Sequence, residues 1–148
     1  MLPVDDNTTI GRLRKWLRNC PALSPDNRFG VNYLAEEPTE YGLFAVPGTI
    51  AYKENVLGEY VPKDVQEVDF IFAVNETYGA DARQNLLAYA LLQDVTNWII
   101  QQNNTFNFPR LEEGTVLSIV PTLTQYVTEA EADSARYQIQ IKLKYRRR

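Results

Sequence analysis

The chain has no histidine, a single cysteine and a single methionine in 148 residues. Losing histidine removes the only side chain that titrates near neutrality unaided. The commonest general base and the commonest metal ligand go with it, which leaves carboxylates as the candidates for acid–base chemistry. One cysteine excludes an internal disulfide and any cysteine-cluster metal site. Cys20 stands before Pro21 at the end of an apolar-periodic stretch and reads as a small buried hydrophobe, not a reactive thiol. Long apolar runs are also missing, and none approaches the roughly 20 residues needed to cross a bilayer. The start Met1-Leu2-Pro3-Val4-Asp5-Asp6 lacks the basic head and apolar centre of a secretory signal, so the expectation is a protein made and used in a cytoplasm. The Asn-x-Thr triplets at Asn7, Asn75 and Asn103 are then chance matches. Phosphate-cradling glycine loops, the Gly-x-Gly-x-x-Gly fingerprint and the Asp-x-Asp-x-Asp-Gly calcium loop do not occur. No cofactor or metal is expected.

The carboxylates fall into three groups: Glu36, Glu37 and Glu40; Glu112 and Glu113; and Glu129, Glu131 and Asp133. Each sits beside proline, glycine or threonine in turn-like sequence. They read as solvated loop residues, with a glycosidase-like pair as the alternative.

What the chain does contain is ordinary for one globular domain over residues 1–148. It is 45% hydrophobic and 23% charged, with residues 1–8 as a flexible start. Its net charge of −4 conceals an uneven distribution. Arg12, Arg14, Lys15 and Arg18 lie near the beginning, and Arg136, Lys142, Lys144 and Arg146 to Arg148 at the end, with most acidic residues between. Such polarity lets copies of one chain attract head to tail, and heterologous contacts of this kind close into rings when the rotation allows. An acidic pI of 4.9 argues against general DNA binding, which rests on neutralising phosphates.

Ile10, Leu13, Trp16 and Leu17 recur at helical spacing after Thr8 or Thr9 as N-cap, which predicts a short amphipathic helix stopped by Pro21. Its basic side reads as a wet face. Residues 29–34 and 41–46 read as strands, with a further short one over 49–53. Residues 54–64 contain Gly58, Pro62 and alternating charges and read as a long loop or hairpin arm. Residues 65–74 should form a strand that pairs back on 41–46 or 49–53. Asp81 and Gln84 supply a capping box for a helix reaching about Gln102. On that helix Leu87, Leu91, Val95 and Trp98, flanked by Ala88, Leu92 and Ile99, make the apolar stripe. Pro121 makes a bent or bulged strand of residues 115–126.

Residues 136–145 alternate without a break. Tyr137, Ile139, Ile141, Leu143 and Tyr145 should line a buried face, with Arg136, Gln138, Gln140, Lys142 and Lys144 on an exposed one. This strand closes a C-terminal hairpin expected to form a sheet edge. The order predicts an α+β fold: a mainly antiparallel sheet with one long and one short helix on one face.

Three stretches carry a resemblance. They are Glu36-Glu37-Pro38-Thr39-Glu40-Tyr41-Gly42-Leu43-Phe44-Ala45-Val46-Pro47-Gly48, then Tyr78-Gly79-Ala80-Asp81 with Trp98 downstream, and Ala135-Arg136-Tyr137-Gln138-Ile139-Gln140. In this order, over about residues 9–145, they resemble the small tail terminator proteins of phages and prophages of Gram-positive bacteria, often labelled minor capsid proteins. The resemblance implies a structural virion protein at the head-proximal end of a tail, assembled in the host cytoplasm. Such a protein forms a ring, typically a hexamer, that caps the tail tube, halts its polymerisation and offers a surface to the head–tail connector. Its partners would be other copies of itself, the tail tube protein and the connector proteins, with phage DNA passing through the ring and no membrane involved. A head–tail neck or head-completion protein is the alternative, and a carboxylate-dependent hydrolase a further one. In this picture Glu54, Glu59 and Lys63 lie on an arm reaching a neighbour or the tube. Lys142, Lys144, Arg146, Arg147 and Arg148 meet an acidic surface or line the DNA channel.

Overall fold

The computed structural model describes residues 8–34, 40–77, 82–128 and 134–148. Helix α1 spans Thr9–Leu17 and is capped by Thr8, whose Oγ1 accepts a hydrogen bond from Gly11 N at 3.1 Å. It buries Leu13, Trp16 and Leu17, the stripe its sequence marks out. The strands are β1 (Phe29–Val31), β2 (Glu40–Ala45), β3 (Tyr52–Glu54), β4 (Tyr60–Pro62), β5 (Val65–Thr77), β6 (Gly114–Thr128) and β7 (Ser134–Arg147). Helix α2 spans Ala82–Asn104. The expected cap at Asp81, the acidic loop at Glu36 and Glu37 and the turn containing Glu129, Glu131 and Asp133 lie outside the described residues. No helix among the described residues is long and apolar enough to cross a membrane.

Five strands form one sheet in the order β1-β2-β5-β7-β6, antiparallel except for the parallel pair β1 and β2, while β3 and β4 form a separate hairpin. This is an α+β fold with two helices on a mainly antiparallel sheet. Phe72 pairs with Leu43 on one side and Ile139 on the other. Around them Tyr41, Phe70, Val74, Tyr137, Ile141, Leu143 and Ile119 complete a single core under the helices. Trp16 and Trp98 meet at 4.7 Å between ring centroids and join α1 to α2.

Four sequence expectations need correction. First, the short strand expected over residues 49–53 begins three residues later, at Tyr52–Glu54, and pairs with β4 in a separate hairpin and not with β5. The C-terminal hairpin does form a sheet edge, with β6 outermost and β7 between β5 and β6. Second, the polar side of β7 is largely closed. Gln138 is buried and donates to Tyr126 Oη, the Arg136 guanidinium sits 4.2 Å from the Phe44 ring centroid, and Gln140, Lys142 and Lys144 are half-buried between neighbouring strands. Third, the buried stripe of α2 is Ala88, Leu92, Val95 and Ile99, whereas Leu87 is exposed. Positions i, i+4, i+7 and i+11 face the sheet, and Leu87 lies too far round the helix to join them. Fourth, β1 stops at Val31. Asn32 turns into the left-handed region at φ 53°, donates its N–H to Leu43 O at 2.8 Å and accepts from Ala45 N through its side chain.

That turn folds the chain back over the end of the sheet. The Tyr33 carbonyl lies where a side chain on Gly30 or Gly42 would be, 2.6 Å from an added Cβ at either position. Two glycines paired across β1 and β2 therefore admit a close backbone crossing.

β6 bends as Pro121 suggested. Its register against β7 shifts between Val116 and Ser118, Pro121 and Leu123, and Leu123 and Tyr126. A proline and repeated bulges on an edge strand discourage indiscriminate pairing with another chain.

Candidate functional site

Residues 52–62 project from the body as a hairpin. Strands β3 and β4 pair Tyr52 with Pro62, Lys53 with Val61 and Glu54 with Tyr60, and they contact no other described helix or strand. Local chemistry alone shapes the turn. Gly58 has φ 80°, a conformation open to glycine at no steric cost, and its N–H donates to Asn55 O at 3.0 Å. The Asn55 side chain accepts from Leu57 N at 2.9 Å and Glu59 N at 3.1 Å, while Asn55 N donates to Glu59 O. This is the Asn-to-Gly chemistry of a tight hairpin. It lifts Val56 and Leu57 to the tip, where they are 102% and 79% exposed. Tyr52 and Tyr60 pack edge to face behind them, also exposed. The hairpin thus gathers exposed apolar side chains on a projection, with Glu54 and Glu59 beside them.

The root of the hairpin is fixed by one residue. Gln66 is only 4% exposed, and its Oε1 accepts from Ala51 N at 3.0 Å while Nε2 donates to Ala51 O at 2.8 Å and Lys63 O at 2.9 Å. Lys63 N also donates to Ala51 O at 2.8 Å. The two arms of the root are thus clamped to each other and to the first residues of β5. Alternation could not single out Gln66, because its importance lies in backbone groups brought to it from 15 residues away.

The basic residues expected to meet a partner divide in two. Lys142 lies 3.6 Å from Glu67, and Lys144 lines a groove of about 570 Å³ together with Glu67, Asp69, Val46 and Ile50. Both lysines therefore face carboxylates of their own chain. Asp69 Oδ1 is buried in this region with no hydrogen-bond partner among the described groups. Arg146, Arg147 and Arg148 are exposed, yet their backbone is not a loose tail: Arg147 N donates to Asp64 O and Arg148 N to Glu113 O at 3.1 Å. The arm residues Glu54, Glu59 and Lys63 leave the sheet at the same end as these arginines, since β5 starts where β7 finishes.

The basic side of α1 has more structure than the wet face its sequence suggested. Arg12 pairs with Glu112 at 2.5 Å, and Arg14 Nη1 donates to Phe29 O at 2.8 Å. The Arg18 guanidinium lies 5.5 Å from the Phe29 ring centroid. Beside it is a groove of about 300 Å³ lined by Arg18, Arg28, Phe29, Gly30, Tyr33 and Tyr41. The sequence hint was Arg28-Phe29-Gly30 followed by Tyr33, basic and aromatic residues close together, but only the parallel pairing of β1 with β2 brings Tyr41 to them.

Among the described residues two ionisable groups are displaced from their ordinary behaviour. Burial pushes the Cys20 thiol up, which keeps it protonated and unreactive. Burial, then the Glu113 carboxylate, raises Tyr145. A search against protein-family models finds no match for this chain, and a search of curated proteins finds no significant one.

Proposed function

We propose that this chain is a structural assembly protein of a phage tail: a terminator whose copies form a six-fold ring on the end of the tail tube. The ring stops tube growth and presents a surface to the head–tail connector. The observation that supports this most is the stapled hairpin with Val56 and Leu57 at its tip. An exposed apolar pair on a projection that contacts no other described helix or strand has a physical rationale when another chain covers it. The resemblance of residues 36–48, 78–81 and 135–140 to terminator proteins supplies the kind of assembly. The product of such a protein is an interface, so the reading requires neither turnover nor a cofactor. Arg146, Arg147 and Arg148, at the arm end of the sheet, would then face an acidic partner surface, with DNA in the channel as the second candidate.

The test is particle assembly without this chain. Tail tubes of irregular length that fail to join heads are the expected result, and uniform tails joined normally to heads would overturn the reading. A label on the chain should map to the head-proximal end of the tube. A label on the portal side of the joint would make it a neck protein instead.

A further inference from the structure

We infer that the hairpin tip of one copy inserts into the groove formed by Arg18, Arg28, Phe29, Gly30, Tyr33 and Tyr41 of a second copy, a head-to-tail contact that repeats around the assembly. The inference rests on the assembly reading above and names the surface that receives the arm.

Size, charge and position all favour it. A groove of about 300 Å³ is small, near the lower end of what accepts a ligand. It suits a pair of aliphatic side chains such as Val56 and Leu57 better than a broad protein surface. Its lining is aromatic, from exposed Tyr33 and the buried Phe29 and Tyr41, and its rim carries Arg18 and Arg28, with Arg28 N bonded to the Glu40 carboxylate and Arg14 bound just behind at Phe29 O. The tip presents the complement: two apolar residues flanked by Glu54 and Glu59, with Tyr52 and Tyr60 following. Aromatic and arginine side chains are the types that dominate binding at interface centres, and opposite charges set the register of docking.

Position makes the contact intermolecular. The groove lies at the start of β2, where Tyr41 pairs with Phe29, and the arm departs beyond its end at Ala45. Four steps of roughly 3.3 Å, from Tyr41 to Ala45, separate the two by about 13 Å along the strand. The arm of a chain does not touch the described strands that form its own groove. Donor and acceptor surfaces at opposite ends of one strand make a heterologous interface, the kind that closes into rings.

The test uses the full chain, compared by sedimentation with two variants. Val56→Ser with Leu57→Ser removes the tip, and Arg18→Glu with Tyr33→Ser spoils the groove at exposed positions. Each variant alone changes two residues at the centre of the contact, where binding energy concentrates, and should self-associate at least about tenfold more weakly than the parent. Mixed together, they should form a one-to-one dimer and nothing larger, because one intact tip meets one intact groove. A second measurement uses the fact that the natural Cys20 is buried. Chains with Val56→Cys mixed with chains carrying Tyr33→Cys should give a cross-linked pair on mild oxidation.

Self-association unchanged by the tip variant would overturn this contact while leaving a tail role intact, because particle labelling judges that role separately. A parent chain that stays monomeric at high concentration also overturns it. So would a groove variant that keeps its self-association but loses binding to a single-stranded oligonucleotide, which would give the groove to nucleic acid. If labelled chain is absent from tails yet the mixed dimer forms, the contact stands and the tail reading falls.

Discussion

β7 and the arm are both built from extended chain with alternating side chains, and they are held in opposite ways. β7 is paired along its length on both sides, and Tyr137, Ile139, Ile141 and Leu143 are buried beneath the helices. The β3 and β4 strands are paired only with each other, and every residue of β3 is exposed. A two-stranded hairpin alone is marginal in water. This one therefore depends on its turn and on the Gln66 clamp, whereas β7 depends on the apolar area it removes from water. The difference separates what makes this chain fold from what it offers to a partner. Stability is concentrated in β7 and its neighbours, and exposed binding potential in a projection whose loss the body should tolerate.

The sharpest way to test that separation is to damage each region and compare. Ile139→Ala deletes a fully buried side chain beside Phe72 on the next strand, and should cost about 2–5 kcal/mol of global stability. Denaturant titration reads it as a lowered midpoint. A loss below about 1 kcal/mol, the level of an average substitution, would mean that β7 is not the anchor argued here.

Gln66→Leu comes next. The buried leucine leaves Ala51 N and Lys63 O without their partners, a cost of about 1–3 kcal/mol. Its signature should be local as well as global: amides of Asn55 and Gly58, protected within the arm, should exchange much faster with solvent, while those at the centre of β7 keep their order of protection. Equal acceleration in both regions would show that the clamp belongs to the core and not to the arm.

Gly58→Ala is smaller and more confined. The space around a Cβ there is open, with Glu54 Oε1 at 3.7 Å, so the cost is backbone strain at φ 80°, roughly 1–2 kcal/mol. Exchange at Gly58 and Asn55 should rise with the global denaturation midpoint nearly unmoved. A midpoint drop as large as that of Gln66→Leu would contradict an arm that folds on its own turn chemistry.

The same contrast explains which parts could be read from the residues. The α+β class, both helices and the buried face of β7 follow from periodicity, because burial on one face imposes a repeat that survives in the sequence. The hairpin partner β6 follows from the intervening turn, but the second neighbour, β5, does not, since that pairing joins segments far apart, such as Val68 with Leu143. At the candidate site, the arm was suggested by Gly58 and Pro62, and Glu54 and Glu59 do stand on it. The Gln66 clamp and the Phe29 groove were invisible because each is assembled across chain separations by backbone groups or by the parallel pairing of β1 with β2. Lys142 and Lys144 looked outward for the same reason: Glu67 and Asp69, which they face, arrive from β5.

The smallest expected effect lies at the end of β7, where burial gives way to solvent. Tyr145 is half-buried, and its proton is held more tightly than an ordinary tyrosine's, first through burial and then through Glu113. Below the ordinary tyrosine pKa of about 10 both folded and unfolded chains keep the proton, so Tyr145 leaves stability independent of pH there. Above it the unfolded chain ionises first. Unfolding then releases a proton, and stability falls as pH rises until the folded chain ionises too. Tyr145→Phe should remove this part of the alkaline decline while changing the midpoint little near neutrality. Denaturant titrations of both chains across the alkaline range measure it. An identical decline in the two would place the end of β7 in solvent as fully as the arm, and would move the boundary between anchored and offered strand inward along β7.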